Sequence, residues 1–386
     1  MADAPADDFE SATENAALVT LLRRRMDAEG AITFHDFMET ALYHPQHGYY
    51  ASREPMGRQG DYLTSPEVHS IFGALVAKQL HQFWELMGRP EQFDLVEQGA
   101  GSGLLARDIL RWAASQAPEF AQALRYRIVE LSASLRRRQE ETLAGGETAV
   151  EFLDALPDQI EGCLLSNELI DSFPVHRIVH QDAQLLEVYV KHENGRFVEM
   201  YGTASSDRIL QYFADVGLWP GEGCIAEVNL HAVDWMADAA RAVRRGFVLT
   251  FDYGYRAQEL YAPWRKDGTL LCFYRHNPSD DPYARVGKQD MTAHIDFTTL
   301  MREGESHGLA VAGLTTQAEF LARLGIGAGV DAVAKESPRA LEEYFARRRA
   351  VQELIDMAGL GRIRVLVQSK GIEAAELLGF GERGDA

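Results

Sequence analysis

Residues Phe93 to Leu110 read FDLVEQGAGSGLLARDIL, and no other stretch of the chain restricts its fold as much. The apolar residues Phe93, Leu95 and Val96 have the composition of a buried parallel strand. The run ends in Glu97 and then meets glycine at every second position, Gly99, Gly101 and Gly103. From Leu104 the pattern turns helical, with Leu104, Leu105, Ile109 and Leu110 on one side. Strand, glycine turn and helix bring bare backbone close to a nucleotide-like ligand in α/β folds. Glycine is needed where the chain turns with positive φ or where a side chain would strike that ligand.

The spacing selects the ligand. A dinucleotide fingerprint, G-x-G-x-x-G, requires glycine at 104, where Leu104 stands. The pattern present is acidic-x-G-x-G-x-G, with Ala100 and Ser102 between the glycines. It resembles the first motif of class I S-adenosylmethionine (SAM) methyltransferases, in which the turn lies under the methionine part and the ribose. SAM has no phosphate, so an acidic residue is tolerated near the helix N-terminus. The run Tyr126 to Glu130 reads as the second strand, followed by Leu131 and by Ser132 as a helix N-cap. An acid at that strand end accepts hydrogen bonds from ribose hydroxyls in NAD enzymes too, so Glu130 supports nucleoside binding without choosing the cofactor. The glycine spacing makes the choice.

Composition narrows the rest. A chain of 386 residues is long enough for a large core and more than one module. No run approaches the roughly 18 to 20 apolar residues of a membrane span. The first 17 residues carry Asp3, Asp7, Asp8, Glu10 and Glu14 and no basic residue. That fits neither a secretory signal nor an Arg-rich presequence, so a disordered acidic tail and a cytoplasmic location are expected. Cys163, Cys224 and Cys272 are far apart and read as buried thiols. The net charge is −20, from 58 acidic and 38 basic residues. Nucleic-acid binders usually present a basic face, and no nucleic-acid partner is expected here. The basic runs Leu21–Arg25 and Leu135–Arg138 read as solvated helix faces.

Along the chain, helices are expected at Glu14–Glu29, Thr33–Leu42 and Val68–Met87, with a loop from Tyr43 to Tyr50. After Glu130 come a helix over Ser132–Leu143, a third strand at Ala149–Leu153 and a fourth at Gly162–Ser166. Val175–Val190 and Arg196–Met200 read as an antiparallel insertion with Asn194-Gly195 as a hairpin turn. A helix near His231–Val243 leads to a fifth strand, Gly246–Asp252. Leu309–Leu314 and Arg362–Gln368 read as two last strands, paired antiparallel, with helices Thr316–Leu324 and Pro338–Met357 between them. The alternation predicts a doubly wound α/β sheet.

The segment Asn167-Glu168-Leu169-Ile170-Asp171 follows the fourth strand, at the carboxyl edge where ligands of open sheets sit. Glu168 and Asp171 place two carboxylates in one short turn, a group suited to a guanidinium, and Asn167 adds an amide. One carboxylate could also take the proton that an acceptor nitrogen loses. The same S-N-E-L-I-D pattern also reads as a helix start with first-turn acids. His294 and Asp296 lack a third ligand at fitting spacing, so no metal is expected.

Taken together, several segments resemble the MidA-like family of SAM-dependent methyltransferases, which includes a mitochondrial complex I assembly factor that methylates arginine. They are His44-Pro45 with Gly48-Tyr49-Tyr50, Gly60-Asp61-Tyr62 with Thr64-Ser65-Pro66-Glu67, and Glu97 with Gly99–Gly103. Further on are Val129–Ser132, Asn167-Glu168 with Asp171 and Pro174-Val175, Asp252–Tyr255, and Gln289-Asp290 with Thr292-Ala293-His294-Asp296-Phe297. The resemblance runs from about residue 16 to 370. It implies a class I fold, Rossmann-like with its last strand antiparallel, with an N-terminal helical module and inserted acceptor-side elements. The modules would be a tail 1–15, a helical acceptor module 16–90, a methyltransferase domain 91–370 with insertions near 175–225 and 256–306, and a tail 371–386. SAM is the implied cofactor and S-adenosylhomocysteine its product. The implied cofactor residues are Glu97, Gly99, Ala100, Gly101, Ser102, Gly103, Glu130, Leu131, Leu153, Asp154 and Asn167, with Thr64, Ser65 and Pro66 closing over it. Asn167, Glu168 and Asp171 take the catalytic place. The implied partner is a protein presenting arginine, with symmetric dimethylation as in the mitochondrial members; a homodimer is left open.

Two other readings stand beside this one. A scaffolding protein that keeps the fold to bind partners would not need the intact glycine turn and Glu130. An NAD-dependent oxidoreductase conflicts with Leu104.

Overall fold

The computed structural model describes residues 14–52, 63–146, 148–327, 338–372 and 376–381, with side chains of 338–340 excluded. The acidic residues expected to form a tail up to position 13 and the Gly60-Asp61-Tyr62 motif lie outside the described residues. The chain forms two compact units. Residues 1–62, 171–232 and 255–296 make the first, and residues 63–170, 233–254 and 297–386 make the second.

The second unit holds a seven-stranded sheet. Its strands are β1 (Phe93–Gln98), β2 (Leu124–Val129), β3 (Val150–Leu153), β4 (Ile160–Asn167), β5 (Val243–Asp252), β6 (Ala310–Thr316) and β7 (Arg364–Lys370). They lie in the order β6-β7-β5-β4-β1-β2-β3. Strands β1 to β5 pair in parallel, and β7 pairs antiparallel with both β5 and β6. The order reverses beside β1, between β4 and β2, which is the switch point where open α/β sheets bind ligands. All seven strands expected from the sequence are present, and β7 is the antiparallel one.

The sheet is covered by helices whose apolar residues recur at helical spacing. Helix Ile71–Leu86 buries Ile71, Phe72, Val76, Leu80 and Phe83, and helix Leu104–Gln116 buries Leu105, Ile109 and Ala113. Phe83 stacks on Phe247 of β5 with ring centroids 4.0 Å apart. The helix read as one element over Val68–Met87 is broken. A short turn, Ser65–Val68, ends at His69, whose backbone is extended, and the His69 ring accepts a hydrogen bond from the Ile71 N–H. Strands β4 and β5 begin before Gly162 and Gly246, and each of these glycines faces its neighbour strand closely. A Cβ at Gly162 would lie 2.0 Å from the Asp94 carbonyl oxygen, and one at Gly246 would lie 1.9 Å from that of Gly162. Only glycine permits this approach, because the contacts are with backbone that cannot move aside.

The first unit is built on a five-stranded antiparallel sheet: Ile32–Thr33, His176–Gln181, Gln184–Glu193, Arg196–Gly202 and Ile225–Val228. Helix Ala16–Glu29 buries Leu18, Val19, Leu22 and Met26, and helix Phe34–Tyr43 buries Phe34, Phe37, Met38, Ala41 and Leu42. Both pack with Val188 and Val190 in one apolar cluster. Asn194 and Gly195 have positive φ, as the two central residues of a type I′ hairpin require, and they close the expected hairpin. The stretch Val175–Val190 of the expected antiparallel insertion holds a second hairpin, turned at Asp182-Ala183. Both residues have positive φ, and the Glu222 carboxylate accepts from both N–H groups. Ala183 carries no turn signal, which is why the sequence read through it. The polar stretch after Thr269 forms a small three-stranded sheet, Leu271–Tyr274, Asn277–Ser279 and Asp290–Thr292.

Candidate active site

The glycine turn joins β1 to helix Leu104–Gln116. Gly99, Gly101 and Gly103 have φ of 75°, 53° and 78°, a region that β-carbon sterics close to most residues. Gly103 begins the helix from this left-handed conformation. Gly99 also permits a close approach, since a Cβ there would come within 2.8 Å of the Leu169 side chain. The turn after β1 therefore lies directly against the turn after β4. Ala100 and Ser102 are buried within it.

The Glu130 carboxylate at the end of β2 is held from two directions. Its Oε1 accepts from the Ser132 N–H at 2.8 Å, and its Oε2 accepts from Gln139 Nε2 at 3.0 Å. The same Gln139 amide nitrogen donates to the Gly101 carbonyl at 3.0 Å, which ties the glycine turn to the acidic residue. Gln139 is completely buried, and sequence reasoning missed it. A polar residue on an amphipathic helix carries no signal until its burial is seen. Burial raises the pKa of Glu130, opposed by the Ser132 N–H and the Gln139 amide. Leu131, next in the chain, is 81% exposed, an apolar side chain standing open beside a nucleoside-type carboxylate. Arg136, read as part of a solvated face, is instead engaged. Its guanidinium donates to the carbonyls of Glu130 and Leu153 and to Asp154 Oδ1, at 3.0, 3.2 and 2.7 Å. Leu153 and the exposed Asp154 thereby share one anchor with Glu130.

Glu97 is buried inside the sheet and accepts a 2.6 Å hydrogen bond from the Tyr126 hydroxyl. Burial pushes its carboxyl up to about 7, which that hydrogen bond opposes.

At the end of β4, Glu168 has a φ of 51°, uncommon for a residue with a side chain. Several bonds hold it there. The Glu168 N–H donates to the Phe251 carbonyl at 2.8 Å. Asp252, fully buried at the end of β5, accepts from the N–H groups of Leu169, Ile170 and Tyr253. Its carboxylate is thus committed to shaping the turn. Glu168 Oε1 accepts from the Ser65 N–H at 3.0 Å and from Asn167 Nδ2 at 3.1 Å, while Oε2 has no donor among the described residues. Burial pushes Glu168 up to about 7 against those two donors, and Glu67 adds to the rise. Ser65 is itself fixed, since its hydroxyl donates to the buried Gln317 Oε1 at 2.8 Å. Thr64 is buried, and Pro66 follows in the first turn of the short helix. Asp171 falls in the first unit, where its backbone carbonyl accepts from the Ala293 N–H at 2.9 Å.

Buried acceptors without a well-placed donor among the described residues mark the same edge: Asn167 Oδ1, Gln139 Oε1 and both carboxylate oxygens of Glu67, which only the Ser102 hydroxyl approaches. Such atoms are costly unless a ligand brings hydrogen. SAM is rich in donors at its ammonium, its ribose hydroxyls and its adenine amine, so these residues fit it. Among the described residues, one grouping brings three metal-type ligands together, His35, Asp36 and Glu39, and there Arg25 already holds Asp36 at 2.7 Å. The three cysteines are buried and unpaired. Among the described residues, no helix is long and apolar enough to cross a membrane.

Comparison with known proteins agrees with this geometry. Residues 75–315 match the family model for S-adenosyl-L-methionine-dependent methyltransferases (Methyltransf_28). A crystal structure of a COG1565 superfamily member from Burkholderia thailandensis, bound to S-adenosyl-homocysteine, superposes with a TM-score of 0.86. It is 32% identical, covering 99% of this chain and 98% of that one. A protein described as an arginine methyltransferase NDUFAF7 homolog, mitochondrial, from Drosophila melanogaster is 29% identical over 97% of this chain and 89% of its own length. The mouse protein arginine methyltransferase NDUFAF7, mitochondrial, is 29% identical over 79% of this chain and 73% of its own. The chain belongs to this family and is a class I SAM-dependent methyltransferase.

Proposed function

We propose that the protein transfers the methyl group of SAM to an arginine side chain of another protein, with Glu168 as the residue that receives the guanidinium. The observation that carries this reading is the state of Glu168. Its carboxylate lies half-buried at the carboxyl end of β4, one oxygen is fixed by Ser65 and Asn167, and the other has no donor among the described residues. A guanidinium presents paired N–H donors to such a carboxylate. The named activity of the mitochondrial relatives supports the choice of arginine.

The cofactor supplies an electrophilic methyl on a sulfonium. The glycine turn and Glu130 fix the nucleoside end, and proximity and alignment do most of the rest. Glu168 and the Asn167 carbonyl oxygen orient the terminal nitrogen of the arginine. When that nitrogen takes the methyl it sheds a proton, which passes to the Glu168 carboxylate. Thr64, Ser65 and Pro66 act through Glu168, since the Ser65 N–H holds it. Cytoplasmic action and a homodimer are compatible with this reading, which does not depend on either.

The test is Glu168→Gln. This variant should bind S-adenosylhomocysteine in calorimetric titration as the parent does and lose roughly a hundredfold or more in transfer rate. Unchanged turnover would remove Glu168 from the mechanism. A protein that binds no S-adenosylhomocysteine would point to the scaffolding alternative.

A further inference from the structure

Of the acceptors that fit the cofactor, Glu67 has not been matched to a particular part of it. Glu67 sits in the short turn Ser65–Val68, and both of its carboxylate oxygens are buried; the Ser102 hydroxyl is the one side-chain donor that faces it, and neither oxygen has a hydrogen bond of good geometry among the described residues. A buried carboxylate this weakly matched by donors and charge is among the most expensive arrangements in a protein interior. Its position is bounded on two sides. On one side is Ser102, between the second and third glycines of the turn, and on the other is Glu168 at the transfer edge. Burial raises the Glu67 pKa and outweighs both the Ser102 hydrogen bond and the attraction of Arg138, so the carboxyl stays above its ordinary value.

The cofactor's orientation follows from residues already placed. Glu130, Leu131, Leu153 and Asp154 mark the nucleoside end of the site. The opposite end, between the glycine turn and Glu168, must take the methionine part, whose terminus carries an α-ammonium. We propose that Glu67 is the receptor for that ammonium, so that the cofactor itself supplies the charge and the donors that Ser102 and Arg138 do not fully provide. The assignment rests on the SAM reading of the site and extends it to a residue outside the glycine motif. It also explains a polar turn packed against the helix that follows the glycines. The bound amino-acid end would link residues 65–68 to the glycine turn.

The test compares two ligands on two proteins. S-adenosylhomocysteine carries the ammonium, and 5′-methylthioadenosine keeps the nucleoside and sulfur but lacks the amino-acid end. Calorimetric titration of the parent and of Glu67→Gln with both should show S-adenosylhomocysteine weakened about tenfold or more, because a charge-assisted contact becomes a neutral one. Affinity for 5′-methylthioadenosine should stay within about twofold. Equal S-adenosylhomocysteine affinity in the two proteins would overturn the proposal. So would a parallel loss for both ligands, which would make Glu67 a general support of the pocket. If the parent bound neither ligand, the SAM reading would fail first, an outcome distinct from both of these.

Discussion

On the proposed reading the chemistry turns on Glu168, and its protonation has a predictable consequence. Burial lifts its pKa from the ordinary 4.5 to about 7. Receiving a guanidinium and then a proton requires the carboxylate, so the transfer rate should climb as pH rises through about 7 and level off above it. A pH–rate profile under single-turnover conditions checks this, and a flat profile between pH 6 and 8 would contradict it. The sign for stability is opposite. A carboxyl whose folded pKa is raised binds its proton more tightly in the native state. That contribution is fully present below about 4.5 and is lost as pH rises through about 7. The left-handed backbone at Glu168 gives the same message by another route. A side-chain-bearing residue remains at a φ of 51° only because the Asp252 and Phe251 contacts determine it.

At the scale of elements, the turns after β1, β2, β4 and β5 make the site, and each depends on a side chain outside the glycine motif. Gln139 joins the first two of these turns by donating to Gly101 and Glu130. Gln139→Leu keeps the volume and removes the donor, leaving two buried acceptors unmatched. It should weaken S-adenosylhomocysteine binding about tenfold and cost about 1–3 kcal/mol in urea unfolding. Asp252→Ala strips the acceptor from three N–H groups and should cost about 3 kcal/mol or more, again by urea unfolding. A loss below about 1 kcal/mol would mean that Asp252 does not shape the Glu168 turn. The glycine turn and Glu130 were legible because glycine at alternate positions and an acid at a strand end are local patterns. Gln139, Asp252 and Glu67 were not, because their meaning lies in burial and in partners far away in sequence. The three backbone donors on Asp252 commit its carboxylate to shaping the turn.

For the molecule as a whole, the strands of the large sheet were legible, and their order and the division into units were not. The strands of the seven-stranded sheet carry short apolar runs, and β1, β2 and β6 are followed by helices, so periodicity exposed them. The first unit gathers three separate stretches of chain, and sequence order alone cannot bring them together. The net charge of −20 suits a cationic side chain as substrate without selecting one. The fold and cofactor follow from the family and from the relative crystallised with S-adenosyl-homocysteine. The acceptor is the central claim. The direct measurement is mass spectrometry of cell protein incubated with methyl-labelled SAM and either this protein or its Glu168→Gln variant. The account predicts label on arginine with the parent and none with the variant. Label on another residue type, or equal labelling by both proteins, would contradict it.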